Sequence, residues 1–184
     1  IRTAQLAFMT QNISKQICND LQNLMPCIDA FDVKVRIPLL DLTVPALKQM
    51  SISQFFQFRA HLVQLIEIDD QLELFEWSLY SMVAQHLNYY FMPNLIHKPK
   101  FKQLGPILPH VETLLSAIAW VGHSDRKQVQ NAFTKAVTHL TCKQPMHLKQ
   151  QSQCDFKLLN VALGYLNQAN YPLKKQILQA CTAS

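Results

Sequence analysis

The chain has little glycine, little charge and no long apolar run. Three of its 184 residues are Gly, and 16% are charged. Tight hairpin turns need residues that tolerate a positive φ, and three glycines cannot supply the many turns of a β-sandwich or a barrel. The apolar runs fall far short of the roughly 20 residues that cross a bilayer. With 49% hydrophobic residues, the chain is not disordered. We therefore expect an all-α fold.

Several motifs of catalytic sites are missing as well. No His is followed by Glu, so the H-E-x-x-H helix of zinc proteases is absent. The chain also lacks a G-x-S-x-G nucleophile turn and a glycine-rich loop that would hold a phosphate. From these absences we expect the chain itself not to be an enzyme and to bind no cofactor.

The net charge is +5, from 17 Lys and Arg against 12 Asp and Glu. The densest basic stretch runs from His97 to Lys102, inside a Pro-rich connection. We interpret this stretch as a solvated loop, because a protein surface that binds nucleic acid needs several clustered cations. Nucleic-acid binding through residues 98–102 is an alternative that ranks last.

The five cysteines are odd in number and form no C-x-x-C pair, which favours a reducing compartment. Four side chains, His139, Cys142, His147 and Cys154, lie close together in the sequence. Their spacing matches no common structural zinc site, so we interpret them as incidental. His86 lies on an apolar helical stripe, which predicts a hydrogen-bonded core histidine.

The N-terminal segment carries an apolar stripe at spacings of three and four residues, which predicts one amphipathic helix packed against the core. The stripe consists of Leu6, Met9, Ile13, Ile17, Leu21 and Leu24. The helix is expected to end near Pro26. Further along, Pro38 and Pro45 lack an N–H and clash with the preceding turn, so they predict two short helices rather than one.

Three helix–turn–helix hairpins are expected after this region. Ser51 and Gln54 have the spacing of a capping box, and the helix that follows should end near Ile68. Gly122 is expected to end a later helix in the left-handed conformation, and Ser124 or Asp125 to cap the next. We predict a single helical domain over residues 1–184, cut from a longer chain. Its parts are N-terminal helices (1–50), a first hairpin (51–90), a Pro-rich loop (91–109), a second hairpin (110–141) and a third, truncated hairpin (153–184).

An acidic turn joins the two helices of the first hairpin. Asp69, Asp70, Glu73 and Glu76 crowd a helix start, where carboxylates offset the helix dipole and cap free N–H groups. The alternative is a calcium or magnesium ion held by Asp69, Asp70 and Glu76, since such hard cations prefer carboxylate oxygens. The turn lacks the invariant Gly and the ligand order of an EF-hand.

Two stretches carry a family resemblance. Residues 36–51 read RIPLLDLTVPALKQMS, and FRA at 58–60 is followed by LIEIDDQLELFEW at 65–77. Together with PLKKQILQAC at 172–181, they resemble the helical region that follows the protease domain in bacterial membrane zinc metalloproteases of the HtpX and CAAX-prenyl-protease class. The resemblance extends from about residue 1 to the end and is most diagnostic over residues 36–87.

The second stretch also resembles the helical hairpin of TerB-type tellurite-resistance proteins. The matching positions are Ile68, Asp69, Asp70, Leu72 and Glu76. Asp70 stands where that pattern has Gly, and Glu73 stands where it has a Ser or Thr cap, so a metal site does not follow from the resemblance.

The resemblance implies a parent protein with transmembrane helices and a zinc protease domain upstream of Ile1. The chain would then be a non-catalytic, TerB-like interaction or regulatory module on the cytoplasmic side of the bacterial inner membrane. Its partner would be another protein or the parent's own protease domain. A stand-alone, metal-responsive stress protein of the TerB kind is the alternative.

Overall fold

The computed structural model describes residues 2–69, 74–93, 99–142 and 144–183, and within these ranges the chain is all-α, as predicted. No helix in the described part of the chain is long and apolar enough to cross a membrane. The helices are α1 (Arg2–Asn12), α2 (Lys15–Ala30), α3 (Val33–Leu47), α4 (Ile52–Ile66), α5 (Leu74–Phe91), α6 (Leu108–Gly122), α7 (Arg126–Thr138), α8 (Phe156–Leu166) and α9 (Tyr171–Ala183).

The fold divides into two compact units. The N-terminal unit is Ile1–Leu95 and the C-terminal unit is Ile96–Ser184, so the boundary falls inside the predicted Pro-rich loop. That loop also holds a one-turn 3-10 helix at Gly105–Ile107. The prediction of a single domain over 1–184 stays a prediction.

The N-terminal stripe is divided between two helices, so the prediction of one helix ending near Pro26 is wrong. The hydroxyl of Ser14 accepts a hydrogen bond from the Ile17 amide at 3.4 Å and starts α2 there. Pro26 lies inside α2, on an exposed position. Water can bind the carbonyl that a proline leaves without a helical donor, which explains why the helix continues to Ala30.

The prediction of two short helices at Pro38 and Pro45 is also wrong. Both prolines lie inside the continuous helix α3, and both are exposed. They are seven residues apart and therefore share one solvent-facing side, where water can again replace the missing N–H donors. The opposite side of α3 buries Val44, and α3 packs against α5.

The first hairpin, α4 and α5, contains the core of the N-terminal unit. The predicted capping box is confirmed: the Ser51 amide donates to Gln54 Oε1 at 2.8 Å, and the Gln54 amide donates to Ser51 Oγ at 3.2 Å. The predicted helix end near Ile68 becomes a 3-10 turn at Glu67–Asp69. Phe55 of α4 is fully buried and stacks on Phe91 of α5 with ring centroids 4.6 Å apart.

The C-terminal unit is built around α6, which packs against α7, α8 and α9. Leu108, Val111, Leu115 and Ala119 form a buried stripe along α6 at spacings of three and four residues. Helix α6 ends at Gly122 as predicted, but Gly122 does not adopt the left-handed conformation expected there. The predicted cap by Asp125 is confirmed, since Asp125 Oδ2 accepts from the Gln128 amide at 3.1 Å. The second hairpin is therefore present as α6–α7, whereas α8 packs mainly against α6 and α9 mainly against α7, so that α8 and α9 do not pair as the predicted third hairpin.

An extended strap, residues 147–149, lies along one side of α6. Glu112 Oε1 accepts from the His147 amide at 2.8 Å, and Ser116 Oγ accepts from the Lys149 amide at 2.9 Å. One turn further along α6, Trp120 Nε1 donates to the Lys149 carbonyl at 2.9 Å. Three residues spaced by four along α6 thus fix the connection between α7 and α8.

Candidate functional site

The acidic turn that sequence analysis singled out is only partly described. Asp70 lies outside the described residues, and only the backbone of Asp69 is described, in the 3-10 turn that follows α4. Glu76 lies in the first turn of α5 and is half-buried. That position suits a carboxylate at the positive end of a helix. A calcium or magnesium ion bound by Asp69, Asp70 and Glu76 stays a prediction.

The histidines and cysteines do not gather into a metal centre within the described ranges, where no three His, Cys, Asp or Glu side chains converge. His86 is not the core histidine that was predicted. Its side chain is 50% exposed, and its Nε2 lies 3.8 Å from Asp41 Oδ1 of α3. Val83 and Leu87 of the same α5 stripe are buried.

One side of α2 forms an exposed apolar seam. No residue of α2 is buried, so the prediction that its stripe packs against the core is wrong. Ile17 is 53% exposed and Leu24 is 59% exposed. The seam consists of Ile17, Leu21, Leu24 and Ile28, followed by Phe31 just after the helix, and all of these except the half-buried Leu21 are exposed. Spacings of four, three, four and three residues are the heptad spacing of helix pairs.

An ion pair joins α2 to α1. Arg2 of α1 donates two hydrogen bonds to the carboxylate of Asp29, at 2.6 and 2.8 Å, and this hydrogen bonding lowers the pKa of Asp29. Further along α1, Gln5 Nε2 donates to the Leu65 carbonyl of α4 at 3.3 Å. The polar side of α2 is thus anchored, while its apolar seam remains accessible.

The net charge is distributed unequally between the units. Residues 1–95 contain six Lys and Arg against nine Asp and Glu, whereas residues 96–184 contain eleven against three. The N-terminal unit therefore carries −3 and the C-terminal unit +8, which together give the +5 of the chain. The composition of the whole chain gives only the sum of these two net charges, so the strongly basic C-terminal unit was not predicted from it.

All three carboxylates of the C-terminal unit bind backbone amides. Asp155 Oδ1 accepts from the Leu158 amide at 2.7 Å at the start of α8, as Asp125 does at the start of α7. Glu112 accepts from the strap. These three acids therefore act as helix caps and as an anchor of the strap.

The described part of the basic loop is fixed against the turn between α8 and α9. The amides of Lys100 and Phe101 donate to the Gln168 carbonyl at 2.7 and 3.0 Å, and the Asn170 amide donates to the Phe101 carbonyl at 2.8 Å. These bonds place Lys102 at a cleft of about 470 Å³ beside the start of α9. The cleft is also lined by Asn170, Lys175, Gln176 and Gln179.

Burial changes the acid–base chemistry of three side chains in this unit. It raises the pKa of the Cys154 thiol to about 11 and that of the Cys181 thiol to about 11. It also lowers the pKa of His110, and the positive charge of Lys149 acts in the same direction. The His110 ring stacks on Tyr165 of α8, with centroids 4.0 Å apart.

Comparisons with protein-family models, with curated proteins and with solved structures gave no match to this chain.

Proposed function

We propose that this chain is a non-catalytic helical interaction module of a bacterial membrane zinc metalloprotease, and that it binds an amphipathic helix of its partner along the seam of α2. The observation that carries the proposal is the exposure of Ile17, Leu24 and Ile28 on a helix that buries none of its residues. Contiguous exposed apolar residues typically mark a surface that another protein covers.

The spacing of the seam supports a helical partner. A strict alternation of three and four residues keeps a narrow apolar line on one side of a helix, which suits a second helix with the same spacing. A helix that packs into a globular core usually has a broader apolar side. The resemblance of residues 36–51 and 65–77 to the region behind a protease domain supports the metalloprotease setting.

The test compares two leucines of the N-terminal unit in the full-length parent protein. Leu24→Asp places a charge in the seam, whereas Leu42→Asp is a matched control on α3 at a site that is 77% exposed and outside the seam. We expect Leu24→Asp to alter substrate cleavage by the parent several-fold and to abolish crosslinking from the exposed Cys27. Leu42→Asp should do neither.

Two outcomes would contradict the proposal. Equal effects of Leu24→Asp and Leu42→Asp would show that the seam is not a binding surface. Peptide cleavage by the purified chain, if a chelator stopped it, would show that the chain is itself a metalloprotease. A gene that encodes no protease domain upstream of Ile1 would instead favour a stand-alone protein of the TerB kind.

A further inference from the structure

The outer side of α8 carries an exposed apolar strip. Leu158, Val161 and Tyr165 are 44%, 51% and 42% exposed, and their spacing of three and four residues aligns them along the helix. The neighbouring side of α8 buries Leu159, Ala162 and Leu166 against the core of the C-terminal unit. Leu158 and Val161 therefore lie outside the buried core of this unit, while Tyr165 also stacks on His110.

Cationic side chains adjoin the end of the strip. The ring of Phe101 lies 6.2 Å from the ring of Tyr165, and Lys100 Nζ lies 5.8 Å from the centre of the Phe101 ring. The backbone bonds of Lys100 and Phe101 to Gln168 hold this arrangement. An apolar strip thus continues directly into a basic segment.

Lys102, two residues after Lys100, lines the cleft beside α9. Lys175 and Gln179 also line it, as do Asn170 and Gln176, whose carboxamides bond the Leu173 amide and the Thr141 hydroxyl as well. Ammonium groups suit a phosphate, and carboxamides suit the hydroxyl groups of a polyol. Leu178 of α9 is 65% exposed and lies one turn after Lys174 and Lys175, so α9 also presents an apolar side chain next to cations.

We propose that the C-terminal unit docks on an anionic lipid bilayer through the strip of α8 and the cleft beside α9, with a phosphoglycerol headgroup in the cleft. The eleven cationic residues of this unit against three acidic ones complement the negative charge of such a surface. Leu158, Val161 and Leu178 enter the boundary between headgroups and acyl chains, as apolar side chains of interfacial helices do.

The exposed aliphatic side chains favour a bilayer over a nucleic acid. A single-stranded nucleic acid offers bases that stack on Tyr165, but it offers little apolar surface to Leu158 or Val161. The cations of this unit are ten Lys and one Arg. Lysine acts as a point charge toward phosphates, whereas base recognition relies more on the planar fork of arginine.

The test is co-sedimentation of the full chain with vesicles of phosphatidylcholine mixed with phosphatidylglycerol, and with phosphatidylcholine alone. We expect binding to the anionic vesicles only, and a steep loss as salt rises. The double variant Lys102→Gln, Lys175→Gln should bind roughly thirtyfold more weakly, at the usual contribution of a lysine near an anionic surface. Leu158→Gln with Val161→Gln should also weaken binding, without a change in charge.

The matched control is Arg126→Gln with Lys127→Gln, which removes the same charge at the start of α7. This variant should bind the anionic vesicles nearly as well as the unaltered chain. Equal losses in the two charge variants would overturn the proposal, because net charge alone would then account for binding. Binding of an oligothymidylate without binding of anionic vesicles would also overturn it. This proposal concerns a different surface from the one proposed for α2. Substitutions in the α2 seam should therefore not change binding to the anionic vesicles.

Discussion

Among the described residues, five apolar side chains of the N-terminal unit are buried, whereas twenty-one of the C-terminal unit are. The units are similar in length, at residues 1–95 and 96–184. Burial of apolar surface is the dominant favourable contribution to folding, so the C-terminal unit has the larger share of it. Among the described residues, the N-terminal unit exposes twelve large apolar side chains and the C-terminal unit six, and the charges of the two units have opposite signs. The two units thus differ both in the apolar surface that they bury and in the net charge that they carry.

The largest expected effect comes from the core of the C-terminal unit. Phe133 of α7 is 2% exposed, and Phe133→Ala should lower the free energy of unfolding of this unit by about 3–5 kcal/mol through lost burial and the cavity left behind. Denaturant unfolding followed by hydrogen exchange of α6 to α9 measures this. Leu178→Ala on the exposed side of α9 is the control and should change stability by less than about 0.5 kcal/mol. If Phe133→Ala reduced protection from hydrogen exchange in α1–α5 only, the proposed difference in stability between the two units would be contradicted.

Thiol reactivity should distinguish the units next. Cys27 of α2 is exposed, whereas burial raises the pKa values of Cys154 and Cys181 to about 11. A pKa two units above that of an ordinary thiol leaves about a hundredfold less thiolate, which is the reactive form. Alkylation of the native protein at neutral pH, followed by peptide mass analysis, should label Cys27 first and leave Cys154 and Cys181 unmodified. Early modification of Cys154 would mean that the C-terminal core opens readily.

Helix caps provide a smaller and more local effect in each unit. Ser51→Ala removes the hydroxyl that accepts from the Gln54 amide in the capping box of α4, and Asp125→Ala removes the cap of α7. Each should cost about 1 kcal/mol, since each leaves a helix N-terminal amide without its acceptor. Hydrogen exchange should accelerate in α4 for the first variant and in α7 for the second. Acceleration spread over both helices by one variant would show that the units unfold together.

The smallest effect concerns pH. The folded state lowers the pKa of His110 below its ordinary value of 6.5, through burial and the charge of Lys149. The unfolded state therefore binds the proton more tightly. Stability should be unaffected above pH 6.5 and should fall as the pH drops from 6.5 through the folded pKa. A comparison of thermal unfolding against pH with His110→Gln checks this. A pH dependence that persists in the variant would assign it to another group.

Local capping was the part of the fold that the sequence predicted best. The Ser51 and Gln54 pair and the Asp125 cap are determined by residues three positions apart, so short-range chemistry identifies them. The helical class followed from the periodicity of apolar residues and the small number of glycines. The helices of the C-terminal unit followed from the same periodicity, but the pairing of α8 with α6 and of α9 with α7 did not.

The prolines show where local rules failed. Pro26, Pro38 and Pro45 lie within helices, although each removes an N–H donor. All three are exposed, and water near an exposed turn can satisfy the carbonyl that loses its partner. Exposure depends on which side of the helix faces the rest of the unit, and the sequence around a proline does not determine that.

The candidate surfaces were accessible to sequence reasoning only in part. The seam of α2 was predicted as an apolar stripe. Its periodicity does not distinguish a helix that packs in the core of its own chain from one that binds another protein. The basic half was present in the sequence, yet it becomes apparent only when the boundary near residue 95 is known. Tertiary packing supplies both pieces of information.

The bond from Trp120 to the strap has a practical consequence for observing each half of the molecule. The chain has two tryptophans, and they fall one in each unit: Trp77 is buried on α5, and Trp120 binds the Lys149 carbonyl. Trp77→Phe leaves a fluorophore that reports release of residues 147–149 from α6, and Trp120→Phe leaves one that reports on the first hairpin. Thermal unfolding of these two variants, each of which keeps one tryptophan, therefore shows which of the two units unfolds first.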